Sequence, residues 1–538
     1  MKIPYFFLLY LIFFIQINTQ AQGLNSLKPS ILIVQPIMLQ DDNGENPASM
    51  NIPKKLINKA YEKAGISFRF LEPIFFNNTK ARDGKINLDK IVEKAKKLNL
   101  IKGQNDIVNM FFVNAVDGNK GPLGRAKMNG NLIFISLGEN KFESYEKYRN
   151  MQAFVIAHEI GHNLSLKHAV DDPNVENDIP NIQGDGEFKD RIDPKYSLNE
   201  YQINQILKSP LIHPRVKFLS KKEGEVAILD ETFEPYFSNL QIREITAFIN
   251  EEVPHKNLSK ARDFARKKFQ SAVINFNTKE KEIITYAVNE VLKTLINNDI
   301  SLMYNHPWRF IKVQSWLCGG FAHTRGTYII LSQKYIDRLI KGWNENMDNT
   351  LKSNIISKLG GLLVHEQMHS LQRTFKSKFD KLYLDYWNFE RGKVKTEKEI
   401  TLNQVSNPDA PIPEWLIKNK NNFNEFYWVR TLLNKSPKIP VMGKDFQDKV
   451  FIVERFNKNF KVKKDLNKNL ISLELSDIGF YKNSFPVDRG LDHPNEISAY
   501  MFSELFQALY LNKEFISDKG KENTLSFLNW IDVEMKLN

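Results

Sequence analysis

Apolar residues along the 538-residue chain alternate between strand-like runs and helical periods. Residues 30–39 are a β-branched and aliphatic run that predicts a strand, and residues 53–64 have the three-to-four residue apolar spacing of a helix. Residues 66–71 alternate as a strand does. Residues 106–115, with Ile107, Val108, Met110, Phe111, Phe112 and Val113, predict a buried strand. Residues 131–137 predict another after the Asn129-Gly130 turn, and a helix follows over 145–164. Residues 171–194 hold Gly, Pro, Asn and Asp at many positions and read as loop. Ser197-Leu198-Asn199-Glu200 then resembles a capping box, opening a helix that ends near Ser209-Pro210. Residues 213–232 are polar and lysine-rich without strong periodicity, the pattern of a linker. Helical periods return at 241–252, 259–272 and 280–297, strands at 310–317 and 326–331, and a long helix at 353–372. Beyond it the pattern gives only short strands near 450–454 and 471–475 and a helix over 494–511, with Pro494 suited to its first turn. Turn, apolar strand, serine and helix recur in that order at 124–136 and at 322–332, each time ahead of a long helix. The order of elements implies an α+β chain in two parts.

Both long helices carry the spacing H-E-x-x-H: His158-Glu159-Ile160-Gly161-His162 and His365-Glu366-Gln367-Met368-His369. On a helix this places two imidazoles one turn apart on one face, with a carboxylate beside them, which is a metal-hydrolase pattern. Two histidines do not complete a site; a third protein ligand and an open position for water are needed. For the first helix the candidate third ligand is His168, six residues after His162. The chain must turn sharply to bring it back, which a left-handed residue allows, and Ser165 stands where a glycine would do this freely, at a cost of about 1 kcal/mol. For the second helix no histidine follows His369 until His493, so a carboxylate is the natural third ligand. Glu496, at the start of the 494–511 helix, is the best candidate and Glu390 a weaker rival. His323 and His493 are candidate donors to a developing oxyanion, weighed against ordinary structural roles.

The run from His158 through Asn163-Leu164-Ser165-Leu166-Lys167 to His168 resembles the metzincin signature, over residues 28–212, and looks most similar to secreted, matrixin-like bacterial members. The resemblance implies His158, His162 and His168 as zinc ligands and Glu159 as general base. Two departures stand out: Ser165 replaces the glycine, and no methionine lies between His168 and Met303 to form the family's methionine turn. Pro180-Asn181-Ile182-Gln183-Gly184 is the equivalent segment, with Ile182 as its apolar floor. The second motif with a later glutamate resembles the gluzincin arrangement over residues 233–538, implying His365, His369 and Glu496 as ligands and Glu366 as base. The expected fold is thus two zincin-like domains, each with a small mixed sheet and a zinc-binding active-site helix, and two Zn2+ per chain.

Composition adds limits. The net charge of +12 comes mainly from dispersed lysines, and no zinc knuckle, aromatic ribonucleoprotein pattern or basic helix supports nucleic-acid binding. Lys2, the apolar run 6–15 and Thr19-Gln20-Ala21 read as a signal peptide over 1–21, so the chain is expected to be secreted or periplasmic, with no stable membrane span after cleavage. The single cysteine, Cys318, excludes an internal disulfide framework and reads as a buried, inert thiol. The acidic stretch from Asp171-Asp172 to Asp185 matches no EF-hand and reads as a solvated loop. The functional expectation is an exported zinc metallopeptidase acting on peptides or proteins, with residues 132–136 as an edge strand for an extended substrate. The alternative is a zincin-fold binding or structural protein with one or both sites inactive.

Overall fold

The computed structural model describes residues 27–118, 122–137, 144–344, 346–419, 422–515 and 517–537, so the expected signal peptide lies outside the described residues. The first part is built on a seven-stranded mixed sheet. Its strands are β1 (Ser30–Gln40), β2 (Ile66–Phe70), β3 (Ile74–Asn77), β4 (Val108–Phe112), β5 (Gly124–Ala126), β6 (Leu132–Ile135) and β7 (Ile212–Pro214). Strands run in the order β2-β1-β4-β6-β5, parallel except for β5 and for β7, which pairs antiparallel with β1. The first motif helix, Tyr145–Asn163, lies against this sheet. Ser144 caps its N-terminus by accepting from Lys147 N. β1 is buried on both faces. Leu32 and Val34 pack with Ile156 and Ile160 of the motif helix. Ile31 and Ile33 point the other way, into a core made with the second part of the chain.

That core joins Ile31, Ile33, Leu71 and Ile107 to Val288, Phe310, Ile329 and Leu363. The two parts are therefore fused through one apolar cluster. A buried polar contact reinforces it: Asp106 accepts from Arg309 and from the Tyr328 hydroxyl, each at 2.5 Å. Arg69 lies 4.3 Å from the Phe375 ring and donates to Leu302 O at 2.7 Å.

Residues 213–232, expected as a linker, are structured. β7 belongs to the first sheet. One residue later β8 (Val216–Phe218) enters the second sheet, and the helix Lys221–Ala227 follows. Arg215, between them, ties the crossing by donating to Tyr304 O at 2.6 Å and Lys28 O at 3.0 Å. The sequence reads as a linker because these strands are only three residues long, too short to show a period.

The second sheet comprises β8, β9 (Val273–Ile274), β10 (Trp308–Val313), β11 (His323–Arg325) and β12 (Tyr328–Ser332). β12 runs parallel to β10, and β11 forms an antiparallel edge beside β12. This repeats the arrangement of β4, β6 and β5, so the sequence echo is also an echo of topology. The second motif helix, Asn349–Thr374, packs on the helices Thr278–Asn297 and Pro494–Tyr510. Between them the chain forms a third, seven-stranded sheet around the hairpin of Glu425–Leu433 and Phe446–Phe456. The second part therefore has two sheets where one small mixed sheet was expected. Among the described residues no helix is long and apolar enough to cross a membrane.

Candidate metal centres

At the first motif the Nε2 atoms of His158 and His168 each lie 3.1 Å from that of His162. A tetrahedral zinc with Zn–N of about 2.0–2.1 Å would place its ligand atoms roughly 3.4 Å apart, close to this spacing. The far nitrogens explain the convergence. His158 Nδ1 is 2.7 Å from Ile182 O, and His162 Nδ1 is 2.8 Å from Leu166 O. A carbonyl only accepts, so each Nδ1 holds the proton and each Nε2 presents its lone pair to the centre. Burial pushes His158 down to about 3, keeping it in the neutral form that binds metal. Lone pairs facing one another in this way call for a cation, and the donor set fits zinc.

The turn that returns His168 is a Schellman motif: Ser165 N donates to His162 O at 3.1 Å and Leu166 N to Gly161 O at 2.9 Å. Ser165 adopts φ +80°, the left-handed conformation that position demands. Its hydroxyl contacts Asn129 Oδ1, and Asn129 N in turn donates to His162 O. Ile182 is fully buried in the core beneath the motif helix. Gln183 donates to His158 O at 2.8 Å, and a Cβ on Gly161 would collide with that amide.

Glu159 is buried, and burial raises its carboxyl to about 7 against the lowering effect of the Ala126 N–H that it accepts. Its Oε2 has no partner. A Cβ on Gly124 would lie 2.6 Å from Glu159 Cγ, so β5 touches the glutamate closely because it has no side chain there. β5, not β6, is the last strand on this side of the sheet. The expected substrate-pairing edge at 132–136 is thus an interior strand, and residues 124–126 take that place. Sequence patterning could not show this, because a three-residue strand of Gly, Arg and Ala has no apolar signature.

At the second motif the Nε2 atoms of His365 and His369 are also 3.1 Å apart. Glu496, from the helix Pro494–Tyr510, brings its carboxylate oxygens to 3.5 Å from His365 Nε2 and 3.7 Å from His369 Nε2. Its donor set likewise fits zinc. His369 Nδ1 lies 2.9 Å from Gln372 Oε1, and burial pushes this imidazole down to about 3. The Glu366 carboxyl is 2.9 Å from the Thr324 hydroxyl on β11, the strand that corresponds to β5. A residue that the sequence did not single out, Asp409, lies with Glu366 and His369 so that their donor atoms fall within 4.8 Å of one another. Burial drives both the Glu366 and Asp409 carboxyls upward, reinforced for Glu366 by the charge of Asp409 and for Asp409 by that of Glu496. Nothing local marks Asp409 in the sequence; it reaches the centre from the loop between the helix Lys398–Asn403 and the strand Trp415–Lys418 of the third sheet. Glu390 instead pairs with Arg455 at 2.8 Å. His493 caps the helix Pro494–Tyr510 by accepting from Asn495 N and lies 3.2 Å from Ile412 O. His323 is buried against Phe321 O. Cys318 is buried and burial pushes its thiol up, which leaves it inert.

The two centres differ in exposure. The His168 side chain is 52 % exposed, whereas His369 is 0 %, Glu366 2 % and Glu496 6 % exposed.

Three converging histidines, two of them on the motif helix beside a buried glutamate, make a centre of the zinc-metallopeptidase kind, similar to that of metzincins. Residues 48–169 match the family model described as metallo-peptidase family M12B, reprolysin-like. No curated protein matches the chain. Solved structures that overlay in part include the archaemetzincin of Methanopyrus kandleri, at 11 % identity over 33 % of this chain and 94 % of that one, with a TM-score of 0.22. The archaemetzincin of Archaeoglobus fulgidus overlays at 15 % identity over 32 % and 99 %, with a TM-score of 0.21. Metalloproteinase-II from Bacteroides fragilis overlays at 13 % identity over 36 % and 59 %, with a TM-score of 0.23.

Proposed function

We propose that this chain is an exported endopeptidase that uses the first centre, with Glu159 as general base and His158, His162 and His168 as zinc ligands. The observation that carries the reading is the pairing of three converging Nε2 lone pairs with the unpartnered Oε2 of a buried glutamate on the same helix. When bound, zinc supplies Lewis acidity, lowering the pKa of a water towards about 7 and polarising the peptide carbonyl. The Ala126 N–H holds one Glu159 oxygen, which leaves the other to take up the proton from water and pass it to the leaving amine. The carbonyls of Ile182 and Leu166 hold the imidazoles in one tautomer. The edge strand β5, beside Glu159, offers backbone groups to an extended peptide.

In the same reading, His365, His369 and Glu496 hold a second zinc ion in a gluzincin-like manner. Support comes from their separations and from the repeated strand order ahead of both motif helices. Export rests on the N-terminal sequence pattern. The test is hydrolysis of casein or a peptide library by zinc-loaded wild type, Glu159→Gln and Glu366→Gln, with zinc counted per chain. Loss of cleavage in Glu159→Gln with zinc retained is the expected result. A zinc-loaded wild type that cleaves nothing, or cleavage indifferent to both substitutions, refutes the enzyme reading.

A further inference from the structure

We propose that the second centre is a closed metal site in which Asp409 supplies a protein donor where a hydrolytic site keeps water. Peptide cleavage then belongs to the first centre alone. The inference rests on the reading that both centres bind zinc.

Hydrolysis needs one open coordination position that water and a peptide carbonyl can reach. The loop 406–410 lies beside the second centre and is bonded to one of its ligands and to the elements around it. Ser406 N contacts Glu244. Asn407 Nδ2 donates to Glu496 Oε1 at 2.8 Å. Pro408 O accepts from Arg373 at 2.8 Å. Asp409 Oδ1 accepts from Thr324 N at 2.6 Å, and the turn closes through Ala410 N to Asn407 O at 3.1 Å. Anchors on β11, the second motif helix and the helix Pro494–Tyr510 fix the loop against all the elements that build the centre.

Charge points the same way. Glu366, Asp409 and Glu496 are three buried carboxylates around His369. The neighbouring cation, Arg373, bonds Glu234 and Pro408 O, and its charge offsets part of the repulsion on Glu366 and Asp409. Buried carboxylates at this density either take up protons or hold a compensating cation among them, and His369 shares donor range with both carboxylate sets. The Thr324 hydroxyl lies 2.9 Å from one Glu366 oxygen, as the Ala126 N–H holds one oxygen of Glu159, so the two glutamates are held alike and the difference between the centres lies in what covers them. The first centre is open where the second is covered, with His168 half exposed.

The full-length chain carrying His162→Ala isolates the second centre. Loaded with Co2+, it should hold one ion per chain. Its visible spectrum should not change on adding acetohydroxamate, a small chelating probe for open coordination positions, and it should cleave no peptide. Adding Asp409→Asn, which keeps the shape of the side chain, should weaken Zn2+ affinity by about tenfold or more in chelator competition. Asp409→Ala should make the Co2+ spectrum respond to acetohydroxamate. Circular dichroism and tryptophan emission check that the fold is kept. Peptide cleavage by zinc-loaded His162→Ala, or Asp409 variants with unchanged affinity and spectrum, overturns the inference and leaves the first centre untouched. A wild type that binds no metal at all overturns both readings.

Discussion

Replacing Asp106 by Asn tests whether the two parts of the chain fold as one. Asp106 lies on the first part and Arg309 on the second, and their contact is 2.5 Å with Arg309 1 % and Asp106 17 % exposed. Breaking a buried ion pair costs about 3–5 kcal/mol, because the remaining charge is left uncompensated. Here the Tyr328 hydroxyl and Thr327 still contact the site, so the lower end, about 3 kcal/mol, is expected. All seven tryptophans fall between Trp308 and Trp530, so tryptophan emission reports on the second part alone. If the shared core couples the parts, Asp106→Asn lowers the urea midpoint of that emission by about 1 M, taking an m-value near 3 kcal/mol/M. The effect also has a pH signature. Burial would raise the Asp106 carboxyl, but the charge of Arg309, with His213 and the Tyr328 hydroxyl, brings it down to about 2 from an ordinary 3.8. A depressed carboxylate contributes stability above its unfolded value and loses it as the pH falls through its folded value, here about 2 kcal/mol. Wild type and variant should therefore differ fully above pH 4 and converge towards pH 2. A midpoint that moves by less than about 0.3 M at pH 7, on the scale of that m-value, refutes the coupling.

Glu159→Gln should lower kcat by about 10²–10⁴ with zinc content unchanged, the usual contribution of a general base; zinc analysis beside a peptide assay checks this. Gly124→Ala places a Cβ against Glu159 and should lower kcat/KM by roughly 10², as expected for a catalytic group displaced by about 1 Å, with an unchanged circular dichroism spectrum. Ser165→Ala keeps the left-handed strain and loses the contact to Asn129, so it should cost about 1 kcal/mol. Ser165→Gly loses the same contact but removes strain of similar size, less the extra unfolded-state entropy of glycine, and should fall within about 0.5 kcal/mol of wild type. Urea unfolding followed by circular dichroism measures both.

The chain's local patterns were informative wherever the physics is local. Two histidines four residues apart on a helix share a face, so His158 pairs with His162 and His365 with His369 whatever the surrounding fold. The turn at Ser165 and the reach of His168 depend on a few neighbouring residues, and φ +80° there follows from the same stereochemistry. Long apolar runs such as β1 and the two motif helices appeared within a few residues of their expected bounds. The hairpin of Glu425–Leu433 and Phe446–Phe456 showed only as a fragment near 450–454, because its half-buried faces give an uneven apolar alternation.

Tertiary packing decided the rest. Whether residues 213–232 link or pair depends on partners at β1 and β10, far away in sequence. Which strand forms the sheet edge depends on the hairpin that folds Gly124–Ala126 outside β6. Asp409 comes to the second centre from 40 residues beyond His369, its loop held by bonds to three other elements. Exposure separates the two centres most sharply, and no spacing encodes it. The same H-E-x-x-H geometry is open beside His168 and buried beside loop 406–410, because solvent access is set by what the rest of the chain lays over a site.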